Sequence, residues 1–351
     1  MADDSLVYRS QIKEALGKMP GVEVVGASSN GRLAIEKLQQ SQVDLLILDL
    51  EMPEMDGLET LYEMARQGLE CKVLMFASVS KRGADITLEA LRMGATDFMT
   101  KPGPSADSSP SEKIREILEP KLHALFPVFQ KMPNLEVKNS KYPEVNWELF
   151  YPKIVVIGSS TGGPGVLESL FSQLRGPLTC PILITQHMPP LFTEALAQRL
   201  QKLCGIRCIE AIDGIPIEAN SVYLAPGDFH MCVAGTRNNP KIALNQGEQR
   251  NHVRPAVDPL FETAAEMFGN DCLGIVLTGM GADGRAGAEA IKQLGGAVII
   301  QEKESCVVFG MPKAVMDSGA YDKIQTPTQI LQTLRAKAVF SENNLKATGG
   351  E

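Results

Sequence analysis

This sequence predicts two α/β domains, each built on a doubly wound parallel sheet, and three observations predict them. At 351 residues with 44% hydrophobic content, the chain is long for one domain and can fill two cores. Short apolar runs alternate with helix-like segments in both halves, as in βα units on a parallel sheet. Between the halves lies a polar stretch with prolines at 133, 143 and 152, the composition of a linker.

In chain order, Val22–Val25, Val43–Leu48, Val73–Phe76 and Asp97–Thr100 read as strands of the first domain, expected over residues 1–104. Residues 105–152 read as a linker with one helix, Glu112 to Phe129. The alternation resumes over residues 153–340, with strands expected near 154–157, 181–185, 221–224, 274–277 and 297–300. Residues 341–351 are polar and lack apolar periodicity, so they read as a frayed tail.

Composition excludes several classes. A net charge of -8 and the absence of a basic helix or an interleaved Lys/Arg and aromatic run argue against nucleic acid. Seven cysteines without a C-x-x-C pair fit reduced thiols better than disulfides or zinc; Cys204 and Cys208 lack further ligands at metal spacing. The longest apolar stretches are far too short to cross a bilayer, and no signal peptide precedes the first charges. A cytoplasmic protein without direct membrane insertion is expected.

Chemistry concentrates at strand ends. Gly158-Ser-Ser-Thr-Gly162 follows the apolar run Ile154–Ile157 and precedes a helix-like run, fitting the G-x-S-x-G elbow that lifts a serine hydroxyl off a sheet. Such loops also bind phosphates or simply turn, but neither G-x-G-x-x-G nor a trailing Gly-Lys-Ser/Thr is present. Among four histidines, His187 ends the run Pro181–Gln186, and Asp283 lies in a glycine-rich loop after another strand. Ser160, His187 and Asp283 thus supply a nucleophile, a base and a group to orient it. His187 also fits a half-buried structural histidine and Asp283 a plain turn residue, while His230 and His252 keep the base assignment open. The order Ser, His, Asp differs from that of α/β-hydrolases.

In the first domain, Asp49 ends the run Leu45–Leu48, Asp3-Asp4 precede a helix-like segment, and Lys101 stands before Pro102. Clustered carboxylates repel one another, which Mg²⁺ would relieve; a helix N-cap is the plainer reading of any single aspartate. Asp3-Asp4, Leu48-Asp49-Leu-Glu-Met-Pro-Glu-Met-Asp-Gly57 and Thr100-Lys101-Pro102 together resemble a response-regulator receiver domain. The resemblance implies a flavodoxin-like fold and Asp49 as phosphoacceptor. It also implies Mg²⁺ on Asp4, Asp49 and the Glu51 carbonyl, Asp3 as an acid beyond those ligands, and Lys101 as phosphoryl partner. Two departures stand out. A receiver's first strand should precede the aspartate pair, so Met1-Ala2 is expected to end a longer apolar strand beginning upstream. Ala77 replaces the usual Ser/Thr, and strand alternation turns Ser78 to the opposite face.

Gly158–Gly163, Ile184-Thr-Gln-His187-Met-Pro189, Tyr223–Gly227, Leu277–Gly284 and Cys306–Pro312 resemble the catalytic domain of the chemotaxis protein-glutamate methylesterase/protein-glutamine glutaminase family. The family places a receiver before this Rossmann-like domain, so the resemblance embraces nearly the whole chain. It implies Ser160 as nucleophile, His187 as base, Asp283 as orienter, and Thr161 and Met280 at the oxyanion site, with no cofactor for hydrolysis. Implied partners are methyl-accepting chemoreceptors as substrate and a chemotaxis histidine kinase as phosphodonor, whose signal relieves a block by the receiver. Asn146-Trp-Glu-Leu-Phe150 resembles a receptor docking pentapeptide, though such a short match in a linker is most often chance or a hydrophobic pin holding the linker to a domain. Two rival classes remain: a phosphorylation-controlled binding module independent of Ser160, and a transcriptional regulator, which would need a basic recognition helix.

Overall fold

The computed structural model describes residues 1–103, 109–126 and 142–340 and divides into two compact units, Met1–Met132 and Pro133–Glu351. Much of the expected linker and the whole expected tail lie outside the described residues.

The first unit runs α1 (Leu6–Gly17), α2 (Gly31–Gln40), β1 (Leu45–Asp49), α3 (Gly57–Gln67), β2 (Lys72–Ala77), α4 (Lys81–Arg92), β3 (Asp97–Thr100) and α5 (Pro110–Leu125). Each helix starts where a short polar side chain satisfies an orphan amide. Ser5, Asn30, Asp56, Ser80 and Ser109 each accept from the backbone N–H three residues on. Glu59 and Glu112 complete reciprocal capping boxes. The strands form one parallel sheet in the order β1-β2-β3.

Two expectations are corrected here. The helix assigned to the linker is α5, which buries Ile114, Leu118 and Leu122 in the same core as Ile12, Leu16, Leu74 and Phe76. Its apolar face therefore belongs to the first unit. The expected strand Val22–Val25 forms no ladder. Just past it, Met1–Asp3 bridges Ser28 to β1: Ala2 N donates to Ile47 O (2.8 Å), Asp49 N to Ala2 O (2.8 Å) and Ser28 N to Met1 O (3.0 Å). Farther along, a groove of about 510 Å³ lined by Val22, Val24, Leu45 and Ile47 separates the two segments.

The second unit runs β4 (Ile154–Ser159), α6 (Gly163–Gln173), β5 (Ile182–Gln186), α7 (Phe192–Cys204), β6 (Arg207–Glu210), β7 (Ser221–Leu224), β8 (His230–Thr236) and β9 (Asn239–Asn245). It continues through α8 (Val257–Phe268), β10 (Cys272–Val276), α9 (Arg285–Gln293), β11 (Ala297–Gln301), α10 (Met311–Ser318), β12 (Lys323–Gln325) and α11 (Pro327–Ala338). Seven parallel strands lie in the order β12-β11-β10-β4-β5-β7-β6. The five expected strands are buried throughout, so they read as continuous apolar runs. The strands not expected are the partly exposed sheet edges β6 and β12 and the antiparallel hairpin β8–β9, where polar residues interrupt the pattern.

Chain order reverses at β4. From there the chain builds outward through β5, then returns to place β10 on the other flank. A doubly wound sheet opens a crevice at the carboxyl ends of the strands around such a switch.

Within the second unit, Trp147 meets Phe150 edge-on at 5.5 Å between ring centroids. Lys323 Nζ lies 3.9 Å from the Trp147 ring centroid, and Lys337 Nζ donates to the Trp147 carbonyl at 2.5 Å. These contacts pin the pentapeptide to β12 and α11. No described helix is long and apolar enough to cross a membrane.

Candidate active site

Ser160 follows β4 on the turn into α6, and its amide donates to Thr278 O at 3.0 Å. The turn closes at Gly162, whose φ of 79° a side chain would strain. From β5, His187 N donates to Ser159 O (3.0 Å), so serine and histidine stand on adjacent strand ends. Gln186 ties the two backbones together: its Nε2 donates to Ser160 O (2.9 Å) and His187 O (3.2 Å), and its Oε1 accepts from Ser159 Oγ (2.6 Å).

Asp283, in the loop between β10 and α9, completes the convergence. His187 Nε2 lies 2.7 Å from Asp283 Oδ2, which also accepts from Val257 N at 2.6 Å. Asp283 Oδ1 accepts from Asp258 N (3.1 Å), Gly284 N (3.0 Å) and Asn251 Nδ2 (3.0 Å). The carboxylate thus sits at the amino ends of both α8 and α9, where helix dipoles favour negative charge. Burial pushes its pKa up, but the hydrogen bond and charge of His187 and the amides of Val257 and Asp258 outweigh that, holding it below its ordinary value.

An ionised Asp283 favours the His187 tautomer protonated on Nε2, leaving Nδ1 as the basic nitrogen. Ser160 Oγ and His187 are not hydrogen-bonded to each other among the described residues. Such catalytic hydrogen bonds commonly tighten only when substrate is bound. The other loop histidines are placed differently. His230 is buried with Nε2 3.0 Å from Glu248 O and Nδ1 accepting from Ala256 N at 3.1 Å, so backbone occupies both ring nitrogens. His252 is exposed on a turn with φ 63°.

Thr161 is buried, and its carbonyl accepts from Thr278 Oγ1 at 3.0 Å. The Met280 N–H has no hydrogen-bond partner among the described residues.

Comparison with known proteins places this arrangement. Residues 155–334 match the model of the CheB methylesterase family, and residues 1–108 match the response regulator receiver domain. The chain belongs to the CheB methylesterase family. A protein-glutamate methylesterase/protein-glutamine glutaminase of Thermotoga maritima is 38% identical over 334 residues, covering 95% of this chain and 96% of that protein. One from Trichodesmium erythraeum is 38% identical over 340 residues, covering 92% and 94%. The crystal structure of the Thermotoga maritima CheB methylesterase catalytic domain shares 43% identity with a TM-score of 0.50, covering 52% of this chain and 97% of that one.

The receiver half of this CheB-family chain brings together the acidic residues expected from sequence. Asp49 and Asp3 are buried and Asp4 is exposed, with one carboxylate oxygen from each lying within 4.8 Å of the others. Lys101 Nζ lies 2.7 Å from Asp49 Oδ2 and 3.1 Å from Asp3 Oδ2. The latter oxygen forms an ion pair but accepts no well-directed hydrogen bond. Three carboxylates against one ammonium leave an excess of two negative charges, and all the donors are hard oxygens. This donor set fits Mg²⁺. Burial, followed by the charge of Asp3, raises the Asp49 carboxyl to about 6 against the opposing effect of Lys101. The Glu51 side chain is exposed, 3.5 Å from Arg82. Ala77 is fully buried and Ser78, just past β2, is exposed.

Sequence reasoning missed Gln186, Asn251 and the α8 amides. Gln186 was legible only as a neighbour of His187. Val257 and Asp258 carried no signal, because they contribute backbone N–H groups.

Proposed function

We propose that this chain hydrolyses glutamate γ-methyl esters on methyl-accepting chemoreceptors, releasing methanol, and deamidates receptor glutamines to glutamate, under control of Asp49 phosphorylation. The observation that carries this reading is the 2.7 Å bond between His187 and Asp283 beside the Ser160 turn. The protein-glutamate methylesterase/protein-glutamine glutaminase activity for which the relatives are named supports the substrate class.

Ser160 Oγ attacks the ester carbonyl while His187 Nδ1 takes its proton. The ionised Asp283 stabilises the resulting imidazolium through Nε2–H. Met280 N–H and the Thr161 backbone meet the tetrahedral oxyanion; one such donor is typically worth about 3 kcal/mol. His187 returns the proton to the departing methanol. It then activates water to release glutamate and restore Ser160. An amide substrate follows the same path with ammonia as leaving group, and hydrolysis needs no cofactor.

In the receiver, Asp49 accepts a phosphoryl group from a chemotaxis histidine kinase. Asp4, Asp49 and the Glu51 carbonyl would hold Mg²⁺, which neutralises charge at the transferring phosphoryl; Asp3 supports these ligands. Lys101 passes from the Asp49 carboxylate to the phosphoryl oxygens. Phosphorylation adds about -1.5 to -2 charge, enough to bias a bistable loop. The protein works in the cytoplasm, where kinase and receptor signalling helices meet. Methanol release from methylated receptor membranes tests the reading. Release by the wild type and its loss in Ser160→Ala support it, whereas unchanged release by the variant refutes it.

A further inference from the structure

We propose that Asn251 is a positioning residue for the His187–Asp283 pair, bridging Asp283 to the buried carboxylate of Asp258. This inference deepens the reading above and rests on it. Asn251 Nδ2 lies 3.0 Å from Asp283 Oδ1 and 3.0 Å from Asp258 Oδ2. A primary amide nitrogen carries two N–H groups, one for each acceptor. The other Asp258 oxygen accepts from Gly287 N at 2.8 Å, anchoring this tier to the first turn of α9.

Two buried carboxylates side by side repel. Asn251 places a donor against each and fixes the face that Asp283 presents to His187. The electrostatics agree: burial first, then the charge of Asp283, raises the Asp258 carboxyl to about 6. The charged groups facing the pair are Asp283 itself, Arg250, whose Nη2 lies 3.8 Å from Asp258 Oδ2, and Glu262. Arg250 is held in turn by Glu262, at 2.7 and 3.1 Å. Asn251 has φ 52°, a conformation that Asn and Gly tolerate and most residues do not. Its backbone thus holds the amide over the carboxylates.

The same φ makes Asn251→Gly a clean deletion of the amide without backbone strain, and Asn251→Asp a swap of donor for acceptor. Both are made in the full chain. The readouts are kcat and KM for methanol release and the ¹⁵N shifts of the His187 ring, which four histidines keep assignable. Asn251→Gly is expected to lower kcat about tenfold, as for loss of one hydrogen bond to a charged group, with KM unchanged. His187 is expected to shift from a single Nε2-protonated tautomer toward a mixture. Asn251→Asp is expected to lower kcat further. If both variants keep the wild-type kcat and tautomer while losing only thermal stability, Asn251 merely holds its turn and the inference is overturned. The ¹⁵N readout needs no substrate. Absence of methanol release from the wild type would therefore refute the proposed function while the tautomer still judges Asn251.

Discussion

Replacing Asp283 with Asn keeps the shape of the side chain and removes its charge, and the five donors around it dictate the outcome. An amide offers one oxygen to accept and one nitrogen that only donates. With nitrogen at the Oδ1 position it would face three donors: Asn251 Nδ2, Asp258 N and Gly284 N. At the Oδ2 position it would face Val257 N and His187 Nε2. Only His187 can change, by moving its proton to Nδ1, so the second arrangement leaves a single conflict and is the one expected. In it, Nδ1 carries a proton and no longer serves as a base toward Ser160. A serine hydrolase whose imidazole is held in the wrong tautomer loses about 10⁴-fold in kcat, roughly 5.5 kcal/mol of barrier. The remaining conflict at Val257 N costs about 1–3 kcal/mol of stability, a fall of roughly 2–12 °C in Tm for a unit of this size. Methanol release and a thermal melt measure the two effects separately. A variant within tenfold of wild-type kcat would refute the role given to Asp283.

Other perturbations read other parts of the molecule. A Cβ at Gly279 would press on the Met311 side chain and lie 2.9 Å from Ser160 Cβ, so Gly279→Ala should displace the nucleophile and lower kcat at least tenfold in the same assay. Chelating Mg²⁺ should abolish Asp49 labelling by a small acyl-phosphate donor while leaving unstimulated methanol release intact; persistent labelling would count against the Asp3, Asp4 and Asp49 site. Because folding raises the Asp258 carboxyl to about 6, its contribution to stability is full below the ordinary carboxylate range and is lost as pH rises through 6. Denaturant unfolding of Asp258→Asn should therefore lack the decline that the wild type shows between about pH 4 and pH 6; matching profiles would contradict this.

Burial on both faces made the inner strands β4, β5, β7, β10 and β11 continuous apolar runs, and the chemistry-bearing residues follow such runs directly. Ser160, His187, Asp49 and Lys101 were therefore legible as strand-end residues in the sequence itself, and Asp283 as a residue of the glycine-rich loop after β10. The linear pattern did not carry what depends on neighbours remote in sequence. Polar residues hid the edge strands β6 and β12, and α5 looked like linker until its apolar face found the core of the first unit. The segment Val22–Val25 had strand composition but pairs with no strand among the described residues. Which histidine faces the serine was likewise undecided in sequence, since His187, His230 and His252 all lie at strand ends or in loops. What tertiary structure adds is a carboxylate surrounded by His187, Asn251 and the amino ends of two helices, whereas backbone groups occupy both ring nitrogens of His230. Residue types and local periodicity determine which groups are available, whereas the tautomer and charge of those groups depend on donors that only folding brings within hydrogen-bond distance.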